Sequence, residues 1–212
     1  MKQVRGIWLP DNDTHFEGQI AASPLVGGKP TYQLAKYRVA MEHVKQRRHA
    51  IDVGAHIGLW ARVMAMDFEH VTAFEPMAEL RSCFSRNVDA GNVVLIGAAV
   101  GAVSGSVRIA MPADNSGNAC VTDDGEKVPM SALDGLKVET LDFLKIDVEG
   151  YELEVIRGAE ATIKRCRPVM VVEQKPNNAE RYGVGRWDAV NLLKSWGMRE
   201  AAVLSGDHVM VW

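Results

Sequence analysis

His49-Ala-Ile-Asp-Val-Gly-Ala-His-Ile-Gly-Leu-Trp60 is the stretch on which the fold turns. His49–Val53 reads as a short apolar strand holding one acid, Asp52. Gly54 and Gly58 punctuate the turn, and Leu59, Trp60, Val63 and Met64 then recur at helical spacing. A strand passing through a glycine-rich turn into a helix opens a βαβ unit. The alternation continues downstream. His70–Phe74 reads as a second strand, Leu80, Phe84 and Val88 mark one helix face, and Val93–Ile96 reads as a third strand. Leu141–Val148 reads as a fourth strand and Tyr151–Arg165 as one helix, which Pro168 prevents from continuing. Val169–Glu173 is a fifth strand and 187–196 a helix. Segments 199–204 and 208–212 form a terminal antiparallel hairpin. Residues 97–141, with Gly101, Gly105, Gly117, Gly125, Pro112 and Pro129, read as a β-hairpin of Ala98–Val100 with Ser106–Ala110, followed by a loop. Right-handed crossovers make the sheet mostly parallel. The fold class is α/β, Rossmann-like. Residues 1–30 read as an irregular arm with one short strand, and 32–48 as a helix capped by Thr31. The division is 1–48, an arm and helix acting as lid or strap, and 49–212, the α/β domain.

Composition narrows the function. Hydrophobic residues make up 47% and charged residues 24%, as in a globular protein. A net charge of −3 argues against a dedicated nucleic-acid binder. Lys45, Arg47 and Arg48 read as the solvated end of a helix. Cys83, Cys120 and Cys166 are scattered and lack a CxxC pair, so reduced thiols are expected rather than disulfides or structural zinc. No metal is expected at the site. No apolar run approaches the ~20 residues of a membrane span, and no secretory signal opens the chain. A cytoplasmic protein without a membrane partner is expected.

The chemistry concentrates at three strand ends. In an open α/β sheet, ligands bind at the carboxyl ends of the strands. Gly54 and Gly58 give G-x-x-x-G spacing, not the G-x-G-x-x-G of a dinucleotide site. Asp52 beside them would repel a pyrophosphate and suits a cationic ligand group. Glu75 closes the second strand about twenty residues on, where a carboxylate takes two ribose hydroxyls. Pro76 suits the first turn of the next helix. On the fourth strand, Lys145, Asp147 and Glu149 share a face by alternation. A central parallel strand is expected to be apolar on both faces, so three charges there point to function or to an ion-pair network. Lys145 lies deepest and pairs with one of the two acids. Asp147 is expected next to the cofactor and Glu149 at the rim.

The run Phe143-Leu-Lys-Ile-Asp-Val-Glu-Gly-Tyr-Glu-Leu-Glu-Val-Ile-Arg-Gly-Ala159 resembles the signature of the FkbM-type S-adenosylmethionine-dependent methyltransferases. So do Ile51–Gly58, Ala73-Phe-Glu-Pro76 and Leu133-Asp134, all collinear over roughly residues 49–175. Arg5–Phe16 more loosely resembles phage-borne members, which would place the protein in a host cytoplasm. The resemblance implies a class I methyltransferase sheet with a C-terminal antiparallel hairpin, and S-adenosylmethionine as cofactor. It implies cofactor contacts at Asp52, Gly54, Ala55, His56, Gly58, Glu75, Pro76 and Asp147. His56 stands where many relatives have asparagine. No acid stands near Gly97-Ala98-Ala99, the adenine position.

The expected reaction is methyl transfer to a hydroxyl of a sugar or other small polar acceptor. Asp147, Glu149 and Lys145 are the catalytic candidates: Glu149 as base, Asp147 bridging methyl and acceptor, Lys145 tuning both. His15 and His208 are more remote candidates. A ribose 2′-O-methyltransferase acting on RNA or nucleotides is the alternative, with Lys36, Asp147, Lys175 and Glu200 in a comparable chain order. A nucleotide-binding protein without methyltransferase activity is the second alternative.

Overall fold

A computed structural model describes all 212 residues. Seven strands build the central sheet: β1 (His49–Val53), β2 (His70–Phe74), β3 (Val93–Ile96), β4 (Phe143–Ile146), β5 (Val169–Glu173), β6 (Arg199–Leu204) and β7 (Asp207–Val211). Their order is β3-β2-β1-β4-β5-β7-β6, and β7 alone runs against the rest. The strand order reverses between β1 and β4, which opens the crevice where such sheets bind ligands. The helices are α1 (His15–Ala22), α2 (Leu34–Met41), α3 (Leu59–Asp67), α4 (Ala78–Asn87), α5 (Glu152–Arg157), α6 (Glu160–Cys166) and α7 (Asp188–Ser195). No helix is long and apolar enough to cross a membrane.

The two faces of the sheet follow the period-two rule along each strand. Ile51, Val53, Leu144, Ile146, Met170 and Val172 pack with residues of α5, α6 and α7. The alternate residues Ala50, Phe143, Val169 and Val171 pack with α2 and α3, through Tyr37, Trp60 and Met64. Asp52 and Lys145 belong to this second face and are cross-strand partners in the β1–β4 register.

Several local expectations need correction. The first helix spans only Leu34–Met41. Thr31 does not cap it, because its hydroxyl donates to Pro24 O at 3.3 Å, and Gln33 precedes the helix at φ 54°. Residues 151–165 form two helices, not one. Gly158 sits at the break, where a Cβ would lie 2.0 Å from Gly101 O. The second helix starts afresh on Asp134, whose carboxylate accepts from Ala161 N (2.9 Å) and Thr162 N (2.8 Å). The Leu133-Asp134 motif is thus a helix cap. Strand β4 ends at Ile146, not Val148. Pro76 precedes α4 rather than entering its first turn, since the helix begins at Ala78. The excursion pairs differently too. Gly105–Ala110 runs antiparallel to Glu126–Ser131, and Ala99–Val100 pairs parallel with Met130–Ser131. With Cys120–Val121 they make a separate four-stranded sheet.

The arm is more ordered than its turn-rich sequence suggests. Lys2–Val4 and Ile7–Leu9 form a hairpin that turns at Arg5-Gly6, both with positive φ. The Arg5 guanidinium reaches Ile20 O, Ala21 O and Ser23 O at 2.8–3.1 Å, satisfying the carbonyls at the end of α1. Asn87 of α4 ties the hairpin to the β1–α3 loop, donating to Trp8 O and Ile57 O at 2.9 Å and accepting from Trp8 N at 2.7 Å. Ile7, Leu9 and Ile20 are fully buried in a core shared with Ile57, Leu59 and Leu80. Leu9→Ala is expected to destabilise the chain by about 2–5 kcal/mol. Deletion of residues 1–30 is expected to prevent folding. Thermal denaturation and expression of the two variants check this, and an unchanged melting temperature on deletion would make the arm a detachable lid.

Candidate active site

The β1–α3 loop is shaped by close backbone approach. Gly54 has φ 77°, and a Cβ there would sit 1.9 Å from Asp147 O. Its N–H and that of Ala55 donate to Phe74 O at 3.1 and 2.9 Å, which welds the ends of β1 and β2. Gly58, at φ 89°, lets α4 approach through Val88 and Phe84. Gly54→Ala is expected to cost at least ~1–3 kcal/mol, because both the clash and the left-handed backbone oppose a side chain. Chemical denaturation measures that loss. An unchanged midpoint would mean that β1 and β4 can part freely here.

These strand ends floor an open cavity of about 1080 Å³, solvent at its mouth included. Gly54, Ala55, His56, Glu75 and Pro76 line one side. Glu75 is 4% exposed. Its Oε2 accepts from His56 N and its Oε1 from Met77 N, each at 2.8 Å. Burial pushes this carboxyl up to about 7, against those two N–H donors. Each carboxylate oxygen retains an acceptor position for a ligand donor. Apolar Phe74, Leu80, Ala98, Val100 and Ile109 extend this wall and suit a flat ring. The roof comes from the arm and the excursion: Phe16 and Tyr32 stand 5.2 Å apart, facing Ser116–Val121.

The opposite end of the cavity is ionic. Lys145 Nζ lies 3.0 Å from Asp52 Oδ1 and 3.8 Å from Asp147 Oδ2, and donates to Gly54 O at 2.9 Å. Burial opposes the Lys145 charge, but Asp52 and Asp147 hold its pKa well above the usual lysine value. Against the cost of burial, Lys145 and Lys175 keep Asp147 below the ordinary carboxylate range. Carboxylate oxygens of Asp147, Glu149 and Glu173 lie within 4.8 Å of one another. Lys175 Nζ bridges Glu173 (2.7 Å) and Glu149 (3.4 Å), and Asn178 Nδ2 donates to Glu149 Oε2 at 2.7 Å. Burial, then the Asp147 charge, raise the Glu149 pKa, and the same two causes raise Glu173 further. The cluster therefore sets one acid with a lowered pKa beside two whose pKa is raised.

The placement of the expected residues differs in parts. Asp52 is fully buried beneath the cavity and does not line it, so its charge acts through Lys145. Gly58 lies behind the wall for packing. Lys145 pairs with Asp52 as well as Asp147, and not with Glu149. The depth order of the two acids is reversed: the Glu149 side chain is 10% exposed and that of Asp147 19%. Strict alternation fails after Ile146, where Glu149 takes φ 54° and turns under Lys175 and Asn178. Of the set Lys36, Asp147, Lys175 and Glu200, both lysines bear electrostatically on Asp147, and Glu200 is absent from the group. Glu200 lies on the edge strand, held by His208 Nδ1 at 2.6 Å, and Lys36 is taken by Asp207. His208 is buried there, away from the cavity, whereas His15 lines it. Sequence reading missed Glu173, Asn178 and Ser116. Of these, Glu173 alone left a signal, an acid closing a buried apolar strand.

A family model described as "Methyltransferase FkbM domain" matches residues 52–199. Among solved structures, similarity extends to methyltransferase FkbM from Methylobacillus flagellatus KT, with TM-score 0.51 and 18% identity. That alignment covers 77% of this chain but 43% of the other, so this chain spans less than half of that relative's length. Precorrin-6y C5,15-methyltransferase from Geobacter metallireducens GS-15 aligns at TM-score 0.52 and 14% identity over 99% of both chains. A Streptococcus mutans protein in complex with SAH aligns at TM-score 0.51 and 10% identity, over 84% of this chain and 94% of that one. No curated protein sequence matches significantly.

Proposed function

This chain belongs to the FkbM methyltransferase family, and from that premise we propose that it is an S-adenosylmethionine-dependent methyltransferase acting on a hydroxyl oxygen of a sugar or another small polar acceptor. The donor set fits the cofactor. Glu75 offers two acceptor oxygens at the strand end where ribose hydroxyls are held, and the glycine loop leaves room that a side chain would fill. The apolar wall around Ala98 takes the adenine without an acid. Bound S-adenosylmethionine supplies a methyl group already activated by its sulfonium.

The protein's remaining task is to align the acceptor and to take its proton. Lys145 is a positioning residue: its ammonium fixes Asp147 and the Gly54 carbonyl in one geometry. Asp147 stays ionised at the cavity wall and orients the acceptor hydroxyl. Glu149 receives the proton, because its raised pKa makes it a better base than Asp147. Lys175 and Asn178 hold it in place. The observation that carries this reading is the Asp147–Glu149–Glu173 carboxylate cluster against Lys175 at the cavity end. Glu200, outside the cavity, does not supply the fourth group of the ribose 2′-hydroxyl alternative.

A methyl-transfer screen with labelled cofactor, run against saccharides, nucleotides and RNA, tests the acceptor class. Label on a saccharide or small polyol is the expected result. Label appearing on RNA alone would overturn it.

A further inference from the structure

Asp13, Ser116 and His56 come from three segments, the arm, the excursion and the β1–α3 loop, yet they form one buried chain of hydrogen bonds. Asp13 is 0% and Ser116 2% exposed. Asp13 Oδ1 accepts from Phe16 N at 2.8 Å, and Oδ2 accepts from Ser116 N at 3.0 Å. The Ser116 hydroxyl donates to the same Oδ2. His56 Nε2 lies 2.7 Å from Ser116 Oγ. A carboxylate only accepts, and a hydroxyl has one proton. With that proton committed to Asp13, Ser116 Oγ can only accept from the ring. His56 therefore carries its hydrogen on Nε2 and a lone pair on Nδ1.

The surroundings agree with a neutral ring. Burial pushes the imidazole pKa down to about 4; Asp13 and Asp147 favour the charged form and Lys145 opposes it. Nδ1 makes no hydrogen bond to the protein, it is not among the buried atoms sealed from solvent, and the ring lines the cavity. The ring also packs on Phe16 at 4.5 Å between centroids, and its backbone N–H is anchored on Glu75 Oε2. An acceptor lone pair is thus presented to the cavity next to the carboxylate assigned to the ribose.

We propose that Asp13 and Ser116 are positioning residues for the cofactor: they lock His56 as the Nε2–H tautomer, so that Nδ1 accepts a hydrogen bond from a ribose hydroxyl of S-adenosylmethionine. The inference rests on the reading of Glu75 as the ribose site. It makes the arm part of the cofactor site as well as of the core.

The test is imidazole nitrogen NMR on the full chain labelled at histidine, with calorimetric titration of S-adenosylhomocysteine. In the wild type, His56 should carry its proton on Nε2. Asp13→Ala removes the acceptor of the Ser116 hydroxyl, which is then free to donate to His56 Nε2. The tautomer should reverse, and affinity should fall roughly 5- to 10-fold, the loss of about one hydrogen bond. Ser116→Ala leaves the Asp13–Phe16 bond in place and removes the acceptor from Nε2–H. It should give mixed tautomers and a smaller loss of affinity, and it serves if Asp13→Ala fails to fold. An Nδ1–H wild type, or an unchanged tautomer in both folded variants, would overturn the proposal. So would a reversed tautomer with unchanged affinity. Glu75→Ala keeps the two readings apart: lost binding there with full affinity in Asp13→Ala sinks this proposal alone, whereas full binding in Glu75→Ala sinks the ribose assignment itself.

Discussion

Glu149→Gln is expected to slow single-turnover methyl transfer by about 10²–10⁴-fold while S-adenosylhomocysteine affinity is retained. Glutamine keeps an oxygen to accept from Asn178 and keeps the side-chain volume under Lys175. It removes the proton-accepting charge. The pH profile adds a second check. Burial and the Asp147 charge hold the Glu149 carboxyl above its ordinary range. Below that pKa the group is protonated and cannot accept the acceptor's proton, so turnover should rise with pH through a limb displaced upward from the usual carboxylate value. In Glu149→Gln that limb should vanish. Full turnover in the variant would leave alignment alone as the mechanism, with Glu149 a structural acid that fixes Asn178 and Lys175.

Glu75→Ala is expected to weaken S-adenosylhomocysteine binding by 10- to 100-fold, from the loss of about 1.5–3 kcal/mol of charge-assisted hydrogen bonding to the ribose. The substitution also strips the acceptor from His56 N and Met77 N, so the loop itself loosens. Glu75→Gln separates the two effects, since its amide oxygen can keep one of those N–H groups. Calorimetry on both variants, with melting temperatures alongside, measures the binding and the loop contributions. Wild-type affinity in folded Glu75→Ala would remove the ribose from this position.

The role of the arm shows how lid and strap can coincide. Ile7, Leu9 and Ile20 pack against Ile57 of the same loop whose cavity Phe16 and Tyr32 line. The arm therefore contributes to the core and to the cavity lining at once. A stability variant such as Leu9→Ala, made outside the cavity, distinguishes a general loss of folding from a specific loss of cofactor binding.

The sequence by itself determined the strand–helix alternation of the central sheet on either side of the 97–141 excursion, because buried parallel strands write themselves as short apolar runs and helices as four-residue spacings. It also determined the ligand end of the sheet, because Gly54, Glu75 and Asp147 mark strand ends whatever the packing around them. Only the tertiary structure decided how charges divide. Asp52 meets Lys145 through cross-strand register, and Glu149 escapes the alternation because Gly150, at φ 105°, and Asn178 turn the chain at that point. The same holds for the arm and the excursion. Their strands are two to six residues long, too short to carry a local periodicity. Asp13, Ser116 and His56 are 103 and 60 residues apart along the chain. Nothing in their own neighbourhoods shows that one proton, held between the first two, sets the tautomer of the third.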